Sequence, residues 1–491
     1  MDYFSESGYL HPALNQVLRS DYGYFDSISL VASYDFTHDE YLKDRKRHHY
    51  DQPLTEVLKT VLHETTHLYQ TISTPYGIYH QTLRLLQTDI TRYILRWVRQ
   101  FDKGPLQPSL LHHALQLNVN KSQLFSMMSG WFLAEAMLLV LEGDLETYRK
   151  LTDMLNRSSL PSMSLNQLFA ALDPWVSSFF VRNGKSCPKG VHGFVSDDDA
   201  FLSDLQYLLL KSASYPDNRG VLESWATAAE FWADKDVSIE RDGQLFRSSY
   251  TAQKAPYYQF LNEARSSIAA STIGEFTFTY IALCEIALSP PVLQHHRGLS
   301  DKLMSSWHLN PAQRLNELFS AAKEVRPIKV PSTDYLPFTN SVCSKLGWPT
   351  PLKIAQATKL SLICSNHDLL FYFYAKSADI RCRIPHAFID MSVWFLPEQS
   401  HMKEFYYFFS HPVIEFKDSV GFHPDPSVLT FFLNQSLLTR YSRELFIGSG
   451  KHIALPFKAE TTLCETIRST LEPHIGAFFG EVPYSIKLKS K

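Results

Sequence analysis

Apolar and polar positions repeat with a helical period between Leu54 and Ile72. At about 100° per residue, one side of such a helix is apolar and the opposite side is polar. The apolar side carries Leu54, Val57, Leu58, Val61, Leu68 and Ile72, and the polar side carries His63, His67, Gln70 and Thr74. The pattern predicts an amphipathic helix that is anchored on a core through one face and presents two imidazoles on the other.

The same helical periodicity dominates the rest of the chain. We predict helices over residues 78–101, 107–118, 121–142, 145–156, 164–182, 200–213, 220–234, 257–270, 274–288, 352–376, 401–410, 426–446 and 459–472. Residues 27–36 alternate as a half-buried strand does, either inside a sheet or at an edge where an extended peptide could pair. The predicted fold class is mainly α with a small N-terminal β-sheet, an α+β arrangement.

Prolines at two places, residue 75 and the segment 323–338, are expected to interrupt the helical pattern of the chain. Pro75 and Gly77 are expected to end the amphipathic helix. The proline-rich segment 323–338 is expected to be a linker or an extended crossing segment. As a linker it would join a domain over residues 1–322, with helical insertions, to a helical C-terminal domain of unknown role over residues 339–491. The basic stretch 43–49 is expected to be a solvated loop, with a docking patch for an acidic partner as the alternative.

Composition excludes several classes of protein. A net charge of −3 and a pI near 6.7 produce no field that would draw the chain to nucleic acid or to a membrane surface. The N-terminus lacks the pattern of a signal peptide, and the most apolar window, residues 131–141, is too short to span a bilayer. The six cysteines contain no Cys-x-x-Cys pair and resemble scattered core thiols. We therefore expect a folded cytoplasmic protein without nucleic-acid or membrane partners.

The five residues from position 63 read His-Glu-Thr-Thr-His and lie within the predicted amphipathic helix. Two histidines four residues apart on a helix can bind one zinc ion, and the glutamate beside the first can act as a general base. The alternative is a polar helix face that simply meets solvent. Because the spacing, the period and the glutamate agree, we predict His63 and His67 as Zn²⁺ ligands and Glu64 as the catalytic base.

A catalytic zinc site needs a third protein ligand. Gln70 and Ser73 stand where a His-Glu-x-x-His-x-x-Gly-x-x-His motif would continue, which argues against that arrangement and favours a glutamate from a later helix. The alanine-rich segment 221–233 offers Glu223 and Glu230, which share one helix face about 10.5 Å apart along the axis. That separation is too long for both to bind one ion.

Of these two carboxylates, we predict Glu223 as the third ligand and keep Glu230 as the alternative third ligand. With Glu223 as the ligand, Glu230 could orient His63 or His67 through the other ring nitrogen, or it could be a surface carboxylate without such a role. A third carboxylate, Glu285, lies in an apolar stretch and is expected to form a buried ion pair in preference to a site contact.

The segment from His63 to Gln70, with Thr74 and Gly77, resembles a group of largely uncharacterised bacterial HExxH proteins and is broadly similar to the gluzincin metallopeptidases. The Glu223-Ser224-Trp225-Ala226 segment looks like their Glu-Gly-x-Ala, with serine in place of glycine. The resemblance implies a zincin-like metal-site helix, Zn²⁺ as cofactor and peptide-bond hydrolysis in a bacterial or phage setting. It covers a small part of the chain, and the 155 residues between His67 and Glu223 exceed the gap in compact thermolysin-like enzymes.

The motif and the resemblance together favour a zinc metallopeptidase that cleaves a protein or peptide substrate with narrow specificity. Such an enzyme uses a zinc-bound water with Glu64 as the general base. The sequence does not single out the residue that stabilises the oxyanion. The helical annexes favour exosites or docking of a regulatory protein partner, by analogy with a defence or toxin-like protease. The alternatives are a non-catalytic helical interaction protein with a vestigial or structural metal site and a metal hydrolase of non-peptide amides.

Overall fold

The computed structural model describes residues 17–19, 23–26, 30–47, 54–106, 109–121, 218–231, 255–291, 310–362, 369–390, 411–424 and 426–447, with short runs inside 123–138 and 469–480. The helices predicted at 145–156, 164–182, 200–213 and 401–410, and most of the one at 459–472, lie outside the described residues. Within the described ranges, no helix combines the length and the apolar character that crossing a lipid bilayer requires.

The described residues are mainly helical, with one small sheet, which confirms the predicted fold class. The helices are α1 (His38–Arg47), α2 (Glu56–Ser73), α3 (Pro75–Phe101), α4 (Leu110–Gln116), α5 (Asn218–Glu230), α6 (Ala255–Arg265), α7 (Ile273–Ala287), α8 (Pro311–Ala322), α9 (Pro331–Leu346), α10 (Pro351–Leu362), α11 (Leu369–Arg383) and α12 (Pro426–Ile447). The strands are β1 (Val17–Arg19), β2 (Gly23–Asp26), β3 (Val31–Tyr34), β4 (Val413–Glu415) and β5 (Val420–Phe422). Described residues within 123–138 are also helical.

Helix α2 carries the HExxH motif and is buried along most of its length. Thr55 caps it by accepting a hydrogen bond from the Leu58 amide. Threonine is a poor helix former, but each threonine and serine hydroxyl in this helix donates a hydrogen bond to the carbonyl four residues earlier. The residues that do so are Thr60, Thr65, Thr66, Thr71 and Ser73, and Thr74 at the helix end does the same. The helix can therefore lie among other elements without unsatisfied hydroxyls in these positions.

Helices α2 and α3 follow each other with only Thr74 between them. Pro75 is the first residue of α3, where its missing N–H is harmless, and the Thr74 hydroxyl accepts from the Gly77 amide. Gly77 lies inside α3, at a position where a Cβ would be 2.3 Å from the carbonyl oxygens of Gln70 and Thr71. The motif helix ends at Ser73, as the proline and glycine after it predict, but Gly77 belongs to the next helix and permits the close approach of α2 and α3.

The sheet has the strand order β1-β2-β3-β4-β5. Strand β3 pairs antiparallel with β2 and parallel with β4, so that Ala32 lies between Phe25 and Ile414. Because β3 is paired on both sides, its suggested role as an edge strand for an extended peptide is wrong. The sheet is also not purely N-terminal, since β4 and β5 come from residues 413–422.

The helices also bear on three further expectations. Residues 43–47 belong to α1, which has no buried residue; its acidic first turn and basic last turn match the helix dipole, so this part of the basic stretch is a helix and not the expected loop. Residues 331–338 of the predicted linker are helical, as part of α9, so the segment is not extended there; its role as a linker between domains stays a prediction. The single helix predicted over 352–376 is described as two helices, α10 and α11, with 363–368 outside the described residues.

One hydrophobic cluster connects residues on both sides of the predicted domain boundary, from Phe25 to Phe479. Helix α2 packs against α3, α5, α11 and β2 within it. The contact with α11 includes a hydrogen bond from Arg381 Nη1 to the carbonyl of Ser73, the last residue of α2. Elements far apart in the sequence therefore position the motif helix, and the division into two domains stays a prediction.

Candidate metal centre

His63, His67 and Glu223 come together where α5 packs on α2. One donor atom from each residue lies within 4.8 Å of the other two. Glu223 Oε2 lies 3.1 Å from His63 Nε2 and 3.5 Å from His67 Nε2. All three residues are buried: His63 is 1% exposed, His67 is 0% exposed and Glu223 is 4% exposed. The structure thus places the three residues that the sequence predicts as ligands around one point.

The two α2 histidines present their Nε2 atoms to this point because i and i+4 side chains lie on one helix face. The facing helix brings up Glu223 by close packing, since Ala226, Ala228 and Ala229 keep its buried surface small. The Ser224 hydroxyl lies 2.6 Å from the Tyr280 hydroxyl. Ser224 occupies the position of the glycine in the Glu-Gly-x-Ala segment that this part of the chain resembles. Serine therefore fits here because α7 provides a hydrogen-bond partner.

Each imidazole is also held at its second nitrogen. His63 Nδ1 lies 2.6 Å from Glu230 Oε1, and His67 Nδ1 lies 2.8 Å from Gln70 Oε1. Glu230 is therefore not an unattached surface carboxylate, although its side chain is 26% exposed. Glu230 contacts Nδ1 of His63, whereas Glu223 faces Nε2 of the same ring. Glu230 therefore lies outside the donor group formed by His63, His67 and Glu223, as its separation from Glu223 along α5 predicts.

Charge at the centre favours a cation. Burial raises the pKa of Glu223, but the electrostatic effect of the neighbouring His67 and the hydrogen bond with His63 outweigh it and hold that pKa at about 2. Burial lowers the pKa of His63, yet hydrogen bonds to Glu223 and Glu230 raise it well above its ordinary value. The buried Glu223 carboxylate thus requires positive charge beside it, which either a protonated imidazole or a metal ion can provide.

The residues present fit a divalent cation. His67 Nε2 is buried and makes no hydrogen bond to any residue that the structure describes, while it faces Glu223 across 3.5 Å. Two imidazole nitrogens and one carboxylate oxygen form a donor set that Zn²⁺ prefers, with a fourth position left for water or substrate. The outer hydrogen bonds to Glu230 and Gln70 are the kind that orient metal-bound histidines.

Glu64 lies on α2 directly after His63 and is fully buried. Its carboxylate is not in the donor group, but its charge contributes to the raised pKa of His63. A carboxylate that adjoins the donor group without belonging to it is available for proton transfer. This placement is compatible with the predicted role of Glu64 as a general base.

Glu285 is fully buried away from the donor group, as the sequence led us to expect. Arg381 Nε donates to its Oε1 at 2.8 Å, and the Tyr335 hydroxyl donates to its Oε2 at 2.7 Å. Through Arg381 this ion pair connects to the Ser73 carbonyl at the end of α2. The ion pair is structural, and through Arg381 it holds the C-terminal end of the motif helix α2.

Three residues near the centre have no role predicted from the sequence, namely Gln70, Phe25 and His411. The Phe25 ring stacks near His67 with centroids 6.1 Å apart, and it also contacts the His411 ring at 5.6 Å. Burial lowers the pKa of His411 to about 4, and its Nδ1 donates to the Leu30 carbonyl. The helical pattern placed Gln70 beside the histidines, whereas nothing in the sequence connects positions 25 and 411 to the motif.

Comparison with known proteins adds no family to this geometry. No protein-family model, curated protein or solved structure matches the chain. The resemblance to HExxH peptidases therefore remains a prediction, carried by the motif and by the residues that surround it.

Proposed function

We propose that this protein is a zinc-dependent endopeptidase of narrow specificity, with His63, His67 and Glu223 as the metal ligands and Glu64 as the general base. The main observation behind the proposal is that one donor atom each from His63, His67 and Glu223 converge on one point. In addition, the Nδ1 atom of each imidazole is hydrogen-bonded to a side-chain oxygen. Histidines that merely fill a core do not need this arrangement. A carboxylate ligand from a later helix is the gluzincin pattern.

The roles of the side chains follow from their positions. A cation held by the three ligands would supply Lewis-acid activation of water and of a peptide carbonyl. Glu64 would accept a proton from the attacking water on its carboxylate and deliver that proton to the leaving amine. Glu230 and Gln70 would hold the two imidazoles in place during turnover.

A second candidate function is a helical interaction protein that holds a cation for structural reasons. The burial of His63, Glu64, His67 and Glu223 supports it, because structural metal sites are closed. The donor group supports catalysis instead, since it contains three protein ligands among the described residues and structural zinc sites ordinarily have four. Glu64 separates the two functions, because only a catalytic site needs a base beside the ligands.

The test measures metal and hydrolysis in the same preparations. Zinc per chain is determined by elemental mass spectrometry for the wild type, His67→Ala, Glu223→Ala and Glu64→Gln, and each protein is incubated with a peptide library read by mass spectrometry. We expect near-stoichiometric zinc in the wild type and in Glu64→Gln, and none in the two ligand variants. Of these four proteins, only the wild type should cleave peptides.

A matched control is Glu56→Gln, which makes the same change at an exposed position in the first turn of α2. It should keep both the zinc and the cleavage activity. Zinc retained in Glu64→Gln with no cleavage by any protein would favour the structural function. A wild type that takes up no zinc, even when the metal is supplied, would exclude the proposed site.

A further inference from the structure

Gln70 is a buried amide that touches both sides of the candidate metal centre. Its Oε1 lies 2.8 Å from His67 Nδ1, and its Nε2 donates to the Leu222 carbonyl at 2.8 Å. The side chain therefore connects a ligand on α2 with the residue directly before a ligand on α5. We propose that Gln70 is a positioning residue that sets the tautomer of His67 and the distance between the two ligand helices; this inference rests on the proposed metal site.

The two contacts determine which end of the amide faces which partner. A backbone carbonyl can only accept a hydrogen bond, so the end of Gln70 at Leu222 must be the NH₂ group. The other end is then the amide oxygen, which also can only accept. His67 must therefore donate from Nδ1, and a neutral imidazole that carries its proton on Nδ1 has its lone pair on Nε2. This is the nitrogen that faces Glu223.

The same amide fixes distance as well as protonation. Leu222 precedes Glu223, so the hydrogen bond at its carbonyl holds the backbone of α5 beside α2 at the ligand position. The Gln70 backbone is held in turn, because the Thr74 hydroxyl donates to its carbonyl and Gly77 packs against the same oxygen. A short chain of contacts therefore joins His67 to Glu223 without passing through a cation.

The corresponding residue on the other histidine works differently. Glu230 accepts from His63 Nδ1, but a carboxylate has no proton to donate to a backbone carbonyl. Its side chain is also partly exposed, whereas Gln70 is 2% exposed. An amide that donates and accepts at once can tie an imidazole to the opposite helix, and glutamate in that position cannot.

The experiment replaces Gln70 and measures cation binding directly. Gln70→Met keeps the shape of the side chain and removes both hydrogen bonds, and Gln70→Glu keeps the acceptor for His67 and removes the donor to Leu222. Dissociation constants for Zn²⁺ are measured by competition with a chelator, and Co²⁺-loaded protein is compared by visible absorption. We expect Gln70→Met to weaken zinc binding about 10- to 100-fold and to change the Co²⁺ spectrum, with a smaller loss for Gln70→Glu.

Gln87→Met is a matched control, since Gln87 is also a buried helical glutamine that donates to a carboxylate and a backbone carbonyl, in its case Glu135 and Trp131. It should leave the affinity and the Co²⁺ spectrum unchanged, even if it lowers stability. Equal affinity in Gln70→Met and the wild type, or a larger loss in Gln70→Glu than in Gln70→Met, would overturn the assignment. A wild type that binds neither cation would overturn this inference and the proposed function, whereas a wild type that binds zinc without peptide cleavage would overturn only the peptidase.

Discussion

His63 and Glu230 are joined by a 2.6 Å contact between Nδ1 and Oε1, although they are 167 residues apart in the chain. The opposite nitrogen of the same ring lies 3.1 Å from Glu223. One imidazole therefore lies between two carboxylates that are two turns apart on α5. The separation that prevents Glu223 and Glu230 from sharing one ion is the separation that lets them hold one ring.

Replacing Glu230 with glutamine should weaken metal binding without abolishing it. The amide oxygen still accepts from His63, but the loss of negative charge makes the imidazole a poorer ligand, so we expect about a 10- to 100-fold weaker affinity for Zn²⁺ by chelator competition. Glu263→Gln, at an exposed position of α6, is the control and should bind as the wild type does. Complete loss of zinc in the Glu230 variant, with zinc retained in Glu223→Ala, would exchange the roles of these two glutamates.

A methyl group at Gly77 should destabilise the protein and disturb the centre. The added Cβ would lie 2.3 Å from the Gln70 and Thr71 carbonyl oxygens, so α2 and α3 would have to move apart. We expect Gly77→Ala to lower the free energy of unfolding by about 2 kcal/mol or more, measured by urea denaturation. In Gly421→Ala the nearest atom is an ordinary 3.8 Å away, so this control should lose much less stability. Equal losses in the two variants would contradict the close approach of α2 and α3.

Removing Arg381 should leave a buried charge without compensation. Glu285 is fully buried, and Arg381 also holds the Ser73 carbonyl at the end of α2. We therefore expect Arg381→Met to lower the free energy of unfolding by about 3–5 kcal/mol in chemical denaturation. Arg383→Met removes a more exposed partner of Asp379 on the same helix and should have little effect. A small effect of Arg381→Met would show that Glu285 does not depend on this ion pair.

His411 should make stability depend on pH in the acid range. Burial lowers its folded-state pKa to about 4, whereas a histidine in the unfolded chain titrates near 6.5. Between these values the unfolded chain binds a proton that the folded protein does not, so stability falls as pH decreases from about 6.5 to about 4. This loss of stability is absent above pH 6.5 and reaches roughly 3 kcal/mol at the acid end of that range.

The measurement is the free energy of unfolding as a function of pH for the wild type and His411→Asn. We expect the curve of the variant to be flatter between pH 4 and 6.5. His38→Asn, at an exposed position of α1, is the control and should keep the slope of the wild type. Parallel curves for the wild type and His411→Asn would show that this histidine takes up its proton equally in both states.

Local features were predictable because they depend on residues that are neighbours in the chain. The helix over Leu54–Ile72 and the common face of His63 and His67 follow from a period of 3.6 residues, which any helix imposes. The alanine-rich surroundings of Glu223 marked a helix that could pack closely on another. The loop expected for the basic stretch and the extended conformation considered for residues 331–338 were wrong, because charge and proline content do not by themselves exclude a helix that starts at proline or carries matched charges at its ends.

The residue pattern was enough to predict that the described residues are mainly helical and that one helix presents two imidazoles and a glutamate on a fixed spacing. The pattern could not predict which nitrogen each carboxylate meets, that Gln70 reaches Leu222, or that β3 pairs with β4, about 380 residues later in the chain. The two kinds of feature differ because they depend on interactions of different range. Backbone hydrogen bonds and helical period act over a few residues, whereas these contacts depend on how whole elements pack, and that depends on burial summed over the chain.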